Sequence, residues 1–384
     1  MIKLHPPKLS STTIKSVNKV LKTNWLSTSG KNINKLEKKL EKINNIKYCC
    51  ATINGTSALD LAIKSIKPNV DCEIITTSLS WISTVNAILY NNIKPIFLNI
   101  DKNFNLNLDD LEKFILNETY VRKNILYNKK TNKRIIAILY TNLYGNTLDV
   151  YKIKRILKKK NIKIFLIEDA AESLGANYPG TKLISGSLAD ISCLSFNANK
   201  IITSSCGGAL LTNNKKIYKF CSHKANQCKR NNFLNDGLGY NYKITNLNAT
   251  ILLSELKYLK FKIKKKKLIK EKYFNLFKQN KKIEILNYDL KSTNNWLINV
   301  KLKSKKNITN KIITYLKKRN IETRPIFVPF IKLHYLKKFQ QYKTKYINEI
   351  IKNCISIPSG PDLKNKEIKK VSNDILKFLN EEKN

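Results

Sequence analysis

The amino-acid sequence predicts an α/β protein: a large lobe on a mainly parallel sheet covered on both faces, then a smaller α+β lobe. Three observations carry this. Between about residues 45 and 215, short β-branched runs alternate with segments of helical period, the pattern of strands joined by crossover helices. After about residue 246 that alternation gives way to long Lys-rich helical stretches. The chain has 384 residues, more than the roughly 100–200 of one usual domain. We therefore expect a large domain over 1–250 and a small domain over 251–384.

Taken in order, the expected strands of the first lobe are KYCCATI (47–53), CEIITT (72–77), KPIFLNI (94–100), RIIAILYT (134–141) and IKIFLIED (162–169). Each is a β-branched apolar run of strand length. Between them TSALDLAIKSI (56–66), TVNAILYN (84–91) and LDVYKIKRILKK (148–159) place apolar residues at helical spacing. LYNKKTNKR (126–134) reads as a surface loop. In the second lobe we expect a helix within LKYLKFKIKKKKLIKEKYF (256–274), its lysines forming a solvated face. A strand over 295–303 and helices over 307–320 and 365–382 follow.

A formal charge of +45 invites a nucleic-acid reading. The cations, however, are sixty-six lysines and only six arginines, whereas bidentate phosphate and base contacts favour Arg. The Lys excess runs alongside Ile, Asn and Tyr, all encoded by A/T-rich codons, so genome composition explains much of the charge. The eight cysteines contain no CxxC pair and read as small hydrophobes in a reducing compartment, with no metal site expected. No run of about 20 apolar residues suggests a membrane span. The start, MIKLHPPKLSSTT, lacks signal-peptide regions, and a cytoplasmic location is expected.

In open α/β sheets ligands bind beyond the carboxyl ends of the strands, so the residues there are the candidates. After the first strand, Gly55, Thr56 and Ser57 open a helix; close backbone approach, free N–H groups and hydroxyls suit a phosphate. A helix cap without ligand explains them equally well. Trp81 follows the second strand and could cover a flat ring or simply fill the core. Asp169 ends an apolar strand, where an ionised carboxylate needs a partner. A cationic ring nitrogen, a metal or a helix terminus would each serve. Downstream, SFNANKIITSSCGGALLT (195–212) adds the Ser195 hydroxyl and the Lys200 amine before Gly207 and Gly208. A phosphate cradle, an aromatic cover, a carboxylate for a pyridine nitrogen and one lysine together form the set that pyridoxal phosphate needs.

The segments INGTSALDLAI, TTSLSWISTVNAILYNNIKPIFLNID, IEDAAESLGA, SFNANKIITSSCGGALLT and GLGYNYKITNLNATI, in this order, resemble the DegT/DnrJ/EryC1/StrS sugar aminotransferases over about residues 3–378. The opening KTNWLSTSGKNINKLEKKL and the form SFNANKIIT look most like the branch that aminates 4-keto-6-deoxy nucleotide sugars. That branch includes legionaminic- and bacillosamine-type enzymes and perosamine synthase, and the UDP-sugar members look nearest. The resemblance implies the aspartate aminotransferase fold with pyridoxal 5'-phosphate as cofactor and pyridoxamine phosphate as its alternate form.

By the same resemblance Lys200 carries the cofactor and moves the proton. Asp169 holds the ring nitrogen, Trp81 stacks on the ring, and Glu172 lies near the ring oxygen. Thr56, Ser57 and Ser195 hold the phosphate, beside Gly55. Asn241 would reach the cofactor phosphate of a second copy, making a homodimer. Trp25, Ser27 and Ser29 would line the sugar side, with Lys31, Lys243 and Arg324 as candidates for the diphosphate. L-glutamate is the implied amino donor. Lys243 stands where relatives often have Arg, and Ile331 where close relatives have His; neither departure touches the cofactor set. Three rivals differ in class: a pyridoxamine-phosphate sugar dehydratase, in which His replaces the lysine; a regulatory relative without chemistry; and a polyanion binder acting through charge.

Overall fold

The computed structural model describes residues 1–68, 70–230, 234–287, 292–344 and 347–382. In chain order the strands are β1 (Tyr48–Thr52), β2 (Cys72–Thr77), β3 (Lys94–Leu98), β4 (Thr119–Arg122), β5 (Ile125–Asn128), β6 (Arg134–Thr141) and β7 (Phe165–Asp169). Then follow β8 (Ile191–Ser195), β9 (Gly208–Thr212), β10 (Ile283–Ile285), β11 (Ile298–Leu302), β12 (Arg324–Pro325), β13 (Gln341–Tyr342) and β14 (Cys354–Ile357).

The large sheet runs β1-β9-β8-β7-β6-β2-β3-β13, with the β4–β5 hairpin joined to β6. Every pairing along the main path is parallel except those of β9, which runs antiparallel to both β1 and β8. Both faces are covered, and alternation along the strands assigns the residues. Ile74, Ala137 and Leu139 pack with helix Gly55–Ile66 in one core, and Ile75, Ile138 and Tyr140 pack with helix Val150–Lys159 in the other. That double burial is why the central strands read as continuous apolar runs.

A second sheet, β10-β11-β14-β12, is antiparallel and packs against helices Leu259–Phe277, Thr309–Lys318 and Asn365–Glu381. The chain start lies along this region. Ile2 N donates to Asn320 O at 2.7 Å, Glu322 N to Ile2 O at 2.9 Å, and Ser359 N to Leu4 O at 2.8 Å.

Three expectations meet a different structure. The five-residue strands β8 and β9 were not foreseen, because they sit between Ser- and Gly-rich stretches that read as loop. The segment over 126–134 begins inside β5, with Leu126 and Asn128 fully buried and Asn128 Nδ2 donating to Glu73 Oε2 at 2.7 Å. Its polar residue is a core hydrogen-bonding group. The lysines of helix Leu259–Phe277 are not all solvated: Lys266 and Lys270 are buried, the latter with Nζ donating to Asn287 O at 2.7 Å. No described helix is long and apolar enough to cross a membrane.

Candidate active site

The inner candidates, Gly55, Trp81, Asp169 and Ser195, lie at or just beyond the carboxyl ends of the strands. Gly55 opens its helix two residues beyond Ile53, and the Asn54 side chain caps that helix by accepting from Ser57 N at 2.8 Å. The cap takes up the N–H of Ser57, and those of Gly55 and Thr56, in the first helical turn, have no partner within the helix. Ser195, at the end of β8, lies against this turn: a Cβ on Gly55 would stand 2.9 Å from Ser195 Cβ and 3.3 Å from its Oγ. Gly208, opening β9, is held still closer, since a Cβ there would fall 2.3 Å from the Asn54 carbonyl and 2.6 Å from Gly55 N. The Gly-Gly pair at 207–208 thus lets β9 pack onto the backbone of the helix entry. The result is a helix N-terminus with free N–H groups and accessible hydroxyls from Thr56 and Ser195, which suits a phosphate.

Asp169, the last residue of β7, is 4% exposed. Its Oδ2 accepts from Thr84 Oγ1 at 2.6 Å and its Oδ1 from Ala171 N at 3.2 Å, and Ser80 Oγ lies 2.8 Å from the Thr84 hydroxyl. Burial pushes the Asp169 carboxyl up from its ordinary value, against the Thr84 and Ala171 hydrogen bonds and the charge of Lys200. A protonated ring nitrogen would supply the close cation that this carboxylate lacks among the described residues. Trp81 is 58% exposed and edges onto Phe327 with centroids 5.6 Å apart. It is not a core tryptophan, and the exposed indole can cover a flat ring.

Lys200 differs from the surface lysines as its position suggested. Its side chain is 12% exposed, its Nζ lies 3.1 Å from Glu172 Oε1, and it stands 4.1 Å over the Trp296 ring centroid. Glu172 also accepts from Tyr144 N at 2.8 Å through Oε2. Burial raises the Glu172 carboxyl, and the Lys200 charge opposes that rise. The residues present therefore fit a flat, phosphorylated aldehyde: a cradle at Gly55, a buried carboxylate at Asp169, an open indole at Trp81 and a sheltered amine at Lys200.

Sequence reasoning missed four members. Tyr144 lies in a left-handed turn (φ 57°) after β6 and packs on Trp296 and Phe327. Trp296 donates from Nε1 to Asn199 O at 2.6 Å, and Asn294 donates from Nδ2 to Glu172 O at 2.9 Å. Both come from more than ninety residues away, with no local signal. Thr84 was visible only as the start of a helix.

The outer candidates fall into separate places. The loop carrying Trp25, Ser27 and Ser29 is exposed and tied by Asn246, which donates from Nδ2 to Trp25 O at 2.8 Å and from N to Ser27 O at 2.7 Å. Lys31 is exposed at the start of helix Lys31–Asn44. Lys243 bridges Thr52 at the end of β1, close to the cradle, and Asn241 is exposed beside it, bridging Asn226. Arg324 is instead occupied by Glu322, Nη2 to Oε1 at 2.9 Å, the same carboxylate that accepts from Leu4 N. Ile331 is half-buried against the core.

Residues 7–376 match the DegT/DnrJ/EryC1/StrS aminotransferase family. The chain is 30% identical to a GDP-perosamine synthase of Escherichia coli O157:H7, covering 99% of each. It is 31% identical to a UDP-4-amino-4,6-dideoxy-N-acetyl-beta-L-altrosamine transaminase of Campylobacter jejuni, over 73% of this chain and 70% of that one. The solved structure of Helicobacter pylori PseC, an aminotransferase involved in the biosynthesis of pseudoaminic acid, superposes with a TM-score of 0.88 at 25% identity, covering 99% of both chains. The fold is that of the pyridoxal-phosphate aminotransferases, and the protein is a sugar aminotransferase of nucleotide-sugar pathways that uses this cofactor. With its site assembled at the strand ends, the chain belongs to the DegT/DnrJ/EryC1/StrS aminotransferase family.

Proposed function

We propose that the protein transfers an amino group from L-glutamate to the 4-keto carbon of a UDP-linked, acetamido-type 4-keto-6-deoxy sugar, giving a 4-amino-4,6-dideoxy sugar for surface glycans. The observation that carries the reading is the sheltered Lys200 amine beside Glu172, in the same strand-end site as the buried Asp169 carboxylate. Similarity to the perosamine synthase and the altrosamine transaminase supports a 4-keto sugar.

When bound, pyridoxal phosphate supplies an aldehyde that condenses with amines and a protonated ring that withdraws electrons. The chain does the rest. Gly55, Thr56, Ser57 and Ser195 would hold the phosphate, Trp81 would cover the ring, and Asp169 would keep a proton on its nitrogen. Lys200 Nζ would move a proton from the donor's α-carbon to the cofactor's aldehyde carbon and, in the second half, one from that carbon to the sugar carbon. Glu172 keeps that amine in place between transfers. We assign the cofactor lobe to 1–250 and the second lobe to 251–384, supported by the second sheet's strands all following residue 282. Exposed Asn241 would complete the site of a second copy, so the working unit is a homodimer. We place it in the cytoplasm.

The test is product analysis by mass spectrometry with L-glutamate and a panel of UDP-, GDP- and dTDP-linked 4-keto-6-deoxy sugars. Amination of the UDP-acetamido substrate well above the others supports the reading. A product formed only from GDP- or dTDP-sugars overturns the nucleotide assignment, and a dehydrated product overturns the reaction.

A further inference from the structure

Apart from the cofactor set, three side chains of different chemistry meet where helix Lys215–Ala225 ends. A ring nitrogen of His223, Sγ of Cys228 and a carboxylate oxygen of Asp236 all lie within 4.8 Å of one another. The backbone builds this convergence. Cys228 N donates to His223 O at 2.9 Å and Asp236 N to Cys228 O at 3.1 Å, so each of the three is tied to the next through its main chain. Gln227 and Cys228 take left-handed φ values of 61° and 53° and turn the chain back on the helix end. Lys229 and Asn235 then pair in an antiparallel bridge, which returns Asp236 to the helix.

The side chains are set for a cation. His223 Nε2 lies 2.6 Å from Asp236 Oδ1, while Arg230 Nε donates to Oδ2 at 2.5 Å. Arg230 thus orients the carboxylate and leaves Oδ1 to the cluster, the outer support that metal-bound carboxylates use. Cys228 Sγ donates to Leu238 O at 3.3 Å, an oxygen that Lys224 Nζ also reaches at 2.6 Å. The thiol can therefore lose its proton without leaving that carbonyl bare. Tetrahedral zinc, with bonds of about 2.0–2.3 Å, spaces its ligand atoms about 3.3–3.6 Å apart, and small side-chain rotations bring these three to that spacing.

We propose that His223, Cys228 and Asp236 bind a divalent ion of zinc's class, which braces the segment returning to Asn241. Thiolate, imidazole and carboxylate together suit a borderline-soft ion, whereas calcium and magnesium take oxygen ligands. The thiolate and the carboxylate balance its two charges. On binding, the Cys228 proton passes to solvent, and the imidazole bonds through Nε2 with its own proton on Nδ1. Water fills the fourth position from the side where the His223 and Asp236 side chains are 39% and 23% exposed; Cys228, 1% exposed, closes the other side. The Asn226–Asn241 bridge joins the braced segment to Asn241. A single cysteine with one His and one Asp falls outside the paired-cysteine spacings that mark zinc in a sequence, which is why the cysteine pattern predicted no metal. The inference is independent of the transamination reading.

Tag-free holoenzyme is stripped with a chelator, reloaded with Zn2+ alone and desalted. Elemental analysis should find about one zinc per chain. Competition with a chromogenic chelator should show the Kd for zinc rising at least ~10-fold in Cys228→Ala and in Asp236→Asn. Asp236→Asn keeps the shape of a partly exposed residue, so it decides the matter if Cys228→Ala does not fold. With Co2+ in place of zinc, the difference spectrum against the zinc form should show a thiolate-to-cobalt band that Cys228→Ala abolishes. Zinc should also slow amide exchange in the peptide that follows helix Lys215–Ala225, in wild type and not in the variants. A wild type that retains no zinc, variants that bind it as tightly as wild type, or a cobalt form without the thiolate band overturns the site. Zinc bound with no slowing of exchange overturns the bracing role.

Discussion

Replacing Asp169 by Asn removes one negative charge and almost no volume. The Asn carbonyl can still accept from Thr84 Oγ1, now at 2.6 Å from Oδ2, so the helix beginning at Ser83 keeps its anchor. What changes is the field at the cofactor's ring nitrogen. A close opposite charge shifts a pKa by roughly 1–3 units, and each unit is about 1.4 kcal/mol. Asp169 is 4% exposed, so solvent screens little of this effect and the upper part of the range applies. A ring that loses its proton stabilises the developing carbanion less, and the half-reaction with L-glutamate should slow by about 100- to 1000-fold. Stopped-flow decay of the visible band measures it. Apo-protein stability should change little, because removing a carboxyl that burial pushes upward offsets the loss of the Ala171 N–H hydrogen bond, which the Asn Nδ2 cannot accept. A variant that reacts at more than half the wild-type rate would refute the claim that Asp169 holds the ring proton.

Further predictions follow from the same geometry. Gly208→Ala places a Cβ 2.3 Å from the Asn54 carbonyl, so the helix entry must shift; cofactor affinity, titrated by absorbance, should fall at least tenfold, about 1.4 kcal/mol, and unchanged affinity would contradict the cradle. Trp81→Ala should weaken cofactor binding by about 0.5–1.5 kcal/mol yet leave the apo-protein's melting temperature nearly unmoved, since the side chain is largely exposed; a large stability loss would mean it is a packing residue. Lys200→Ala leaves Glu172 buried without its cation. With its folded pKa raised above the unfolded value, Glu172 binds more protons folded than unfolded, so the variant should lose stability relative to wild type as pH rises through and above the ordinary carboxyl range. Apo-protein melts from pH 4 to 8 check the sign, and a gap that narrows with rising pH would contradict it.

How legible was this in the sequence? The strands β2, β3, β6 and β7 are double-faced apolar runs, and their periodicity reads directly. β8 and β9 do not, because ISCLS and GALLT are short and flanked by turn residues; only their pairing with β1 and β7 makes them strands. Asn128 and Lys266 escaped because their polarity is satisfied by Glu73 and Ser359, far along the chain. At the site, Gly55, Asp169 and Ser195 stood out by position, as residues that end strands or open a helix. Tyr144, Asn294 and Trp296 were not, since what they do depends on how distant segments pack around Glu172. Trp81 was open between core and site until its exposure was known.

The central claim is that Lys200 carries the cofactor and works as the proton-transfer base. The most direct test is the visible absorption spectrum of the protein with pyridoxal phosphate, before and after L-glutamate, in wild type and Lys200→Ala. The account predicts a band that glutamate bleaches in the wild type and that never forms in the variant. A band of equal strength in Lys200→Ala, bleached at the wild-type rate, would contradict it.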